Sequence, residues 1–82
     1  MVTALSKQEQ RILWTARTDG VAASSRQIEF DWRAVAKKAG IPAEAAPALL
    51  SGLRRHGFVG AIGPVRARLT EEGVEAATQL RN

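Results

Sequence analysis

The sequence predicts one mainly α domain with a small antiparallel β element, ordered helix–strand–helix–helix–hairpin–helix. Three observations lead there. Four stretches space apolar residues three and four apart and carry their own start or stop signals. The short runs Phe58-Val59 and Val65-Arg66-Ala67-Arg68-Leu69 flank the turn-forming stretch Gly60-Ala61-Ile62-Gly63-Pro64, which makes a hairpin. Finally, 82 residues with 45% hydrophobic content have room for one core and no second domain.

Ser6-Lys7-Gln8-Glu9 fits a capping box, so a first helix is expected over residues 7–17. At about 100° per residue, Leu5, Ile12, Leu13 and Ala16 share one side of it and Trp14 falls nearly opposite. Trp14 therefore either packs against a later helix or anchors a partner interface, where tryptophans concentrate. Gly20 suits a left-handed cap, and residues 21–25 are expected as a loop. Gln27-Ile28-Glu29-Phe30 alternates polar and apolar residues and is expected as a strand. Asp31 caps a second helix over residues 32–39, with Trp32, Val35, Ala36 and Ala39 on one face and Arg33 and Lys37 off it. Gly40 stops it. A third helix is expected over residues 43–56, with Ala45, Ala46, Leu49, Leu50 and Leu53 inward and Gly57 ending it. Thr70 caps a last helix over residues 71–80, with Glu71 and Glu72 at its positive end. The helix-turn-helix then covers residues 31–56, and the small antiparallel β wing covers residues 58–69.

There are no cysteines, which excludes disulfides and thiolate metal sites, and the single histidine makes a metal centre an unexpected feature. No apolar run reaches the roughly 20 residues that span a bilayer. MVTALSKQEQ has no apolar segment after a basic start, so no signal peptide is expected there. The expected location is cytoplasmic or nucleoid-associated, or nuclear in a eukaryote. His56 at a helix end has no nucleophile or paired carboxylate beside it, and Glu71-Glu72 reads as a helix start. Neither an enzyme nor a cofactor is expected.

From residue 31 to residue 73 the spacing resembles the winged-helix regulators of the MarR-like and PadR-like kind. Ala36, Gly40 and Ile41 match the packed helix and its turn. Ala46, Leu49 and Leu53 match the inward positions of a recognition helix. Leu53-Arg54-Arg55-His56-Gly57-Phe58-Val59 is similar to the exit into the wing, and Arg68-Leu69-Thr70-Glu71-Glu72-Gly73 to the phrase that closes it. The resemblance implies a winged helix, usually a DNA binder, sometimes a protein-docking module. It also implies a homodimer built on helix 1 and the C-terminal helix, for which Val74, Ala77 and Leu80 supply a modest apolar strip.

The net charge of +4 and a sequence pI near 10.7 favour a polyanionic partner, so the positions of the basic residues matter. The outward face of the third helix carries Glu44, Pro47, Ala48, Ser51 and Arg55. That set is poor in the arginine, asparagine and glutamine that read base edges. Arg33 and Lys37 lie on helix 2, Arg54 and Arg55 close helix 3, and Arg66 and Arg68 share one face of the wing strand. Converging around helix 3, these would clamp phosphates of double-stranded DNA, with Ser51 as the base contact. The leading reading is a transcriptional regulator or chromosome-associated factor that grips the DNA backbone. The rival is a protein-interaction module that docks through Pro47 and Ala48 or through Trp14.

Overall fold

The computed structural model describes residues 5–24, 27–60 and 62–80. The stretch before Leu5, Ser25 of the expected loop and Ala61 of the expected turn lie outside them.

The capping box forms as expected. The Glu9 N–H donates to Ser6 Oγ at 3.1 Å and the Ser6 N–H donates to Glu9 Oε1 at 3.0 Å, which starts α1 (Lys7–Asp19). Its Leu5, Ile12, Leu13 and Ala16 stripe is buried, while Trp14 stays half-buried outside the core cluster. Gly20 is not left-handed: at φ −74° and ψ 168° the chain is extended. It runs directly into a strand, and the glycine serves close approach, because a Cβ there would meet Ile28 Cγ2 and the Ala16 carbonyl oxygen.

That strand, β1 (Val21–Ser24), stands where a loop was expected. It pairs antiparallel with β2 (Gln27–Asp31), matching Val21 to Glu29 and Ala22 to Ile28 before a bulge. VAAS has no alternation to announce it, and Val21 remains 72% exposed. Backbone hydrogen bonds to the open side of β2 hold it, and these do not depend on side-chain pattern.

α2 (Trp32–Lys38) begins on the Asp31 cap, and α3 (Ala46–Arg55) follows the turn at Gly40. The third helix starts three residues later than the apolar pattern suggests, for a reason carried by Pro47. Having no N–H, Pro47 cannot donate to the carbonyl of residue 43. The chain instead makes tighter bonds, Ala45 N–H to Pro42 O and Ala46 N–H to Ala43 O, before the α pattern resumes with Leu49 N–H to Ala45 O. Pro47 thereby falls in the first turn, where it costs little.

α2 and α3 end alike. Gly40 at φ 76° and Gly57 at φ 78° are left-handed. In each case the glycine N–H and the next residue's N–H return to the last turn: Gly40 to Lys37 O, Ile41 to Ala36 O, Gly57 to Arg54 O and Phe58 to Leu53 O. These are Schellman caps.

β3 (Val59–Gly60) and β4 (Arg66–Leu69) form the hairpin, and α4 (Glu71–Gln79) closes the chain. Thr70 joins the pieces: its Oγ donates to Gly57 O at 2.6 Å and accepts from the Gly73 N–H at 3.0 Å. The described residues thus form a small mixed α/β domain with four helices and one antiparallel sheet, ordered β1-β2-β4-β3. Ile28, Phe30, Val59, Ala67 and Leu69 turn one sheet face to the helices, and no polar side chain is buried among the described residues. Ala77 of the expected dimer strip is fully buried, and Val74 and Leu80 pack half-buried on the core. The strip packs on the core of its own chain, with Val74 and Leu80 still partly exposed.

Candidate nucleic-acid interface

Three of the four free N–H groups at the start of α2 are satisfied locally. Asp31 Oδ1 accepts from the Arg33 and Ala34 N–H groups at 3.0 and 3.1 Å, and the Trp32 N–H donates to Val65 O at 3.0 Å. The helix register this fixes buries Val35 and Ala36 and sends Arg33 and Lys37 to solvent. Arg33 lies over the Trp32 ring, its guanidinium carbon 5.5 Å from the ring centroid. Lys38, the next cation, turns instead to Asp19 at 2.8 Å.

On α3 the burial of Ala46, Leu50 and Leu53 leaves Pro47, Ala48, Ser51, Arg54 and Arg55 exposed, as the helical spacing requires. Leu49 is half-buried, and Gly52 is covered by the Glu9 side chain of α1, which a Cβ at that position would strike. His56 is exposed and stacks on Phe58, ring centroids 5.6 Å apart. Arg54 and Arg55, in the last turn, complement the helix dipole there and remain available to a ligand.

The two wing arginines do not join this group. Cross-strand register sets Asp31 opposite Arg66 and Glu29 opposite Arg68, on the sheet face away from the core. Arg66 Nη1 makes an ion pair with Glu29 Oε1 at 3.2 Å. Arg68 is half-buried, with Nη1 3.5 Å from Gln27 Oε1 and its Nε shielded from solvent without a hydrogen-bond partner among the described residues. The alternation in β4 correctly put both arginines on one face. It could not reveal that the neighbouring strand lines that face with Gln27, Glu29 and Asp31. Six of the seven expected DNA contacts are exposed: Arg33, Lys37, Ser51, Arg54 and Arg55 on α2 and α3, and Arg66 on β4, where it is ion-paired to Glu29, while Arg68 is half-buried beside Gln27.

One signal in the sequence points to the same part of the chain without any structure. Between Asp31 and Glu71 lie Arg33, Lys37, Lys38, Arg54, Arg55, Arg66 and Arg68 against the single acid Glu44, a surplus of six. Cations and acids balance before that stretch, and acids outnumber cations by two after it.

No group of three or more metal-ligating side chains occurs among the described residues, and no helix there is long and apolar enough to cross a membrane. Comparison with family models, with curated proteins and with solved structures returned no match.

Proposed function

We propose that this chain is a winged-helix protein that binds double-stranded DNA, gripping phosphates through α2 and the end of α3 and reading little sequence. The observation that carries this reading is the exposure of Arg33, Lys37, Arg54 and Arg55 on α2 and α3 without an ion pair among the described residues. The order of elements supports it: β2 pairs with β4 and β4 with β3, so the hairpin after α3 returns beside the strand before α2, as a wing does. Arg33, Lys37, Arg54 and Arg55 are the phosphate contacts, and Ser51 is the side chain suited to a base edge. Ala48 and Pro47 beside it offer only apolar contact, which fits a regulator or chromosome-associated factor of low sequence preference.

Titration of a labelled random duplex at several salt concentrations tests this. Four available cations give a log–log slope of about −3 to −4. Absence of binding at low salt overturns the reading.

Trp14 favours a second, compatible role. It is half-buried outside the core, with the Arg17 guanidinium carbon 6.0 Å from its ring centroid, and Arg17 Nε donates to Thr78 Oγ1 of α4 at 2.9 Å. An aromatic held on the α1–α4 side is a contact for a second copy or another protein. Sedimentation of the wild type and Trp14→Ser decides it: a dimer lost on substitution supports the role, and a monomer in both removes self-association.

A further inference from the structure

Between α2 and the start of α3 lies an open groove of about 660 Å³. Its wall and floor are Trp32, Ala36, Ile41, Pro42, Ala46 and Pro47, and its rim carries Arg33 and Lys37. We propose that this groove is a peptide-docking site for an acidic–apolar segment of another protein, which seats a large apolar side chain on the floor and places carboxylates on Arg33 and Lys37.

Five features carry the proposal. The volume lies within the range of sites that enclose a ligand group. Among the described residues, the ionisable side chains that line the groove are both cations, and one helical turn on α2 separates them, about 6 Å, so they face a carboxylate pair together. The floor supplies no side-chain donor for a phosphate: its one N–H, on the Trp32 indole, is already given to Gly63 O at 2.8 Å. A nucleic-acid backbone would leave that apolar surface uncovered, whereas an aliphatic or aromatic side chain covers it. The wall is also pre-set, because that indole bond fixes the Trp32 ring and Arg33 rests on it. Gly40 and Ala43 at the mouth are exposed, and a Cβ on Gly40 would meet nothing within 4 Å, so entry is unobstructed.

The groove shares Arg33 and Lys37 with the DNA reading but not Arg54 or Arg55, which separates the two in experiment. The probe is a phage-displayed random-peptide library selected on the wild-type chain, with the enriched peptides synthesised and titrated into the ¹⁵N-labelled protein. Enriched sequences are expected to set Asp or Glu beside a large apolar residue. They should shift the Trp32 indole N–H, assigned with Trp14→Phe, and the amides around Ala36, Ile41 and Ala43. Ala43→Trp, which fills the mouth, and Lys37→Glu, which reverses the rim, should each weaken binding about tenfold or more. Both positions are exposed, so neither change disturbs the core. Arg54→Ala with Arg55→Ala should leave peptide affinity unchanged. No enriched peptide, enriched peptides without carboxylates, shifts confined to other residues, or wild-type affinity in either groove variant overturns the proposal. Competition by a duplex at Arg33 and Lys37 is expected of both readings, but a duplex that shifts the amides of Ala36, Ile41 and Ala46 as the peptide does overturns the proposal, since the apolar floor would then belong to the DNA surface.

Discussion

The Trp32 indole N–H donates to the carbonyl oxygen of Gly63 at 2.8 Å, tying the first residue of α2 to the connection between β3 and β4. The Trp32 backbone N–H makes a second tie, to Val65 O at 3.0 Å. These two ties add to the β2–β4 pairing, which already sets the hairpin beside the strand that leads into α2. Trp32→Phe keeps an aromatic ring but removes the side-chain bond and the packing of the five-membered part of a half-buried indole. We expect a loss of about 1–2 kcal/mol, the net worth of such a bond with a share for the lost apolar area. Thermal unfolding should show a fall of roughly 5–15 °C for a domain of this size. Amide exchange should quicken at Gly63 and Val65 before it does in the core, and uniform quickening would show that the bond is not what holds the hairpin.

Gly40 and Gly57 end the two central helices with the same left-handed backbone, and a Cβ at either would touch nothing within 4 Å. Substitution by alanine therefore costs backbone strain alone. The expected loss is about 1–2 kcal/mol at each position. Asparagine, which tolerates this conformation better, should recover part of it. Chemical denaturation of the alanine and asparagine pairs checks the ranking. Equal losses for both residue types would mean that packing, not φ, sets the cost.

Gly73 makes the opposite case within a helix. Alanine in place of a helical glycine stabilises by up to about 0.5–1 kcal/mol, and Gly73 lies in the first turn of α4. Here a Cβ would overlap the Phe58 carbonyl oxygen, which accepts the Thr70 N–H at 3.0 Å where the hairpin passes α4. Overpacking of that kind costs about 1–3 kcal/mol or more, so Gly73→Ala should destabilise despite the gain in propensity. A raised melting temperature would show that α4 slides to make room.

Much of the fold was legible because its signals are local. Ser6, Asp31 and Thr70 cap the helices they precede, and the inward residues of α1 and α3 follow from periodicity. β1 was not legible, since a strand held by backbone bonds to β2 leaves no mark in VAAS. The start of α3 was misjudged because apolar spacing continues through residues 43–45 while the missing Pro47 N–H forbids the hydrogen bond that spacing implies. The candidate site divided along the same line. The exposure of Arg54 and Arg55 follows from their own helix, whereas the fate of Arg66 and Arg68 depends on Glu29 and Gln27, 37 and 41 residues away in sequence. Pairing at that distance has no local signature.

That division yields the sharpest functional prediction. Were total positive charge the determinant, removing any two arginines would weaken DNA binding alike. The geometry distinguishes them. Arg54 and Arg55 are exposed without an ion pair among the described residues, while Arg66 already faces Glu29 at 3.2 Å. Loss of Arg54 and Arg55 together should flatten the salt dependence by about two units of log–log slope, one for each phosphate contact. Arg66→Ala should leave the slope within error. Its effect on stability should be small as well, at most about 1 kcal/mol, since the pair is exposed and screened. Glu29→Ala extends the test, because it frees Arg66 without removing a cation. If the sheet face lies beside bound DNA, that variant should bind more tightly than wild type and with a steeper slope. If the DNA contacts only α2 and α3, it should bind as wild type does. A slope reduced equally by Arg66→Ala and by Arg54→Ala would remove the helix pair as the specific grip.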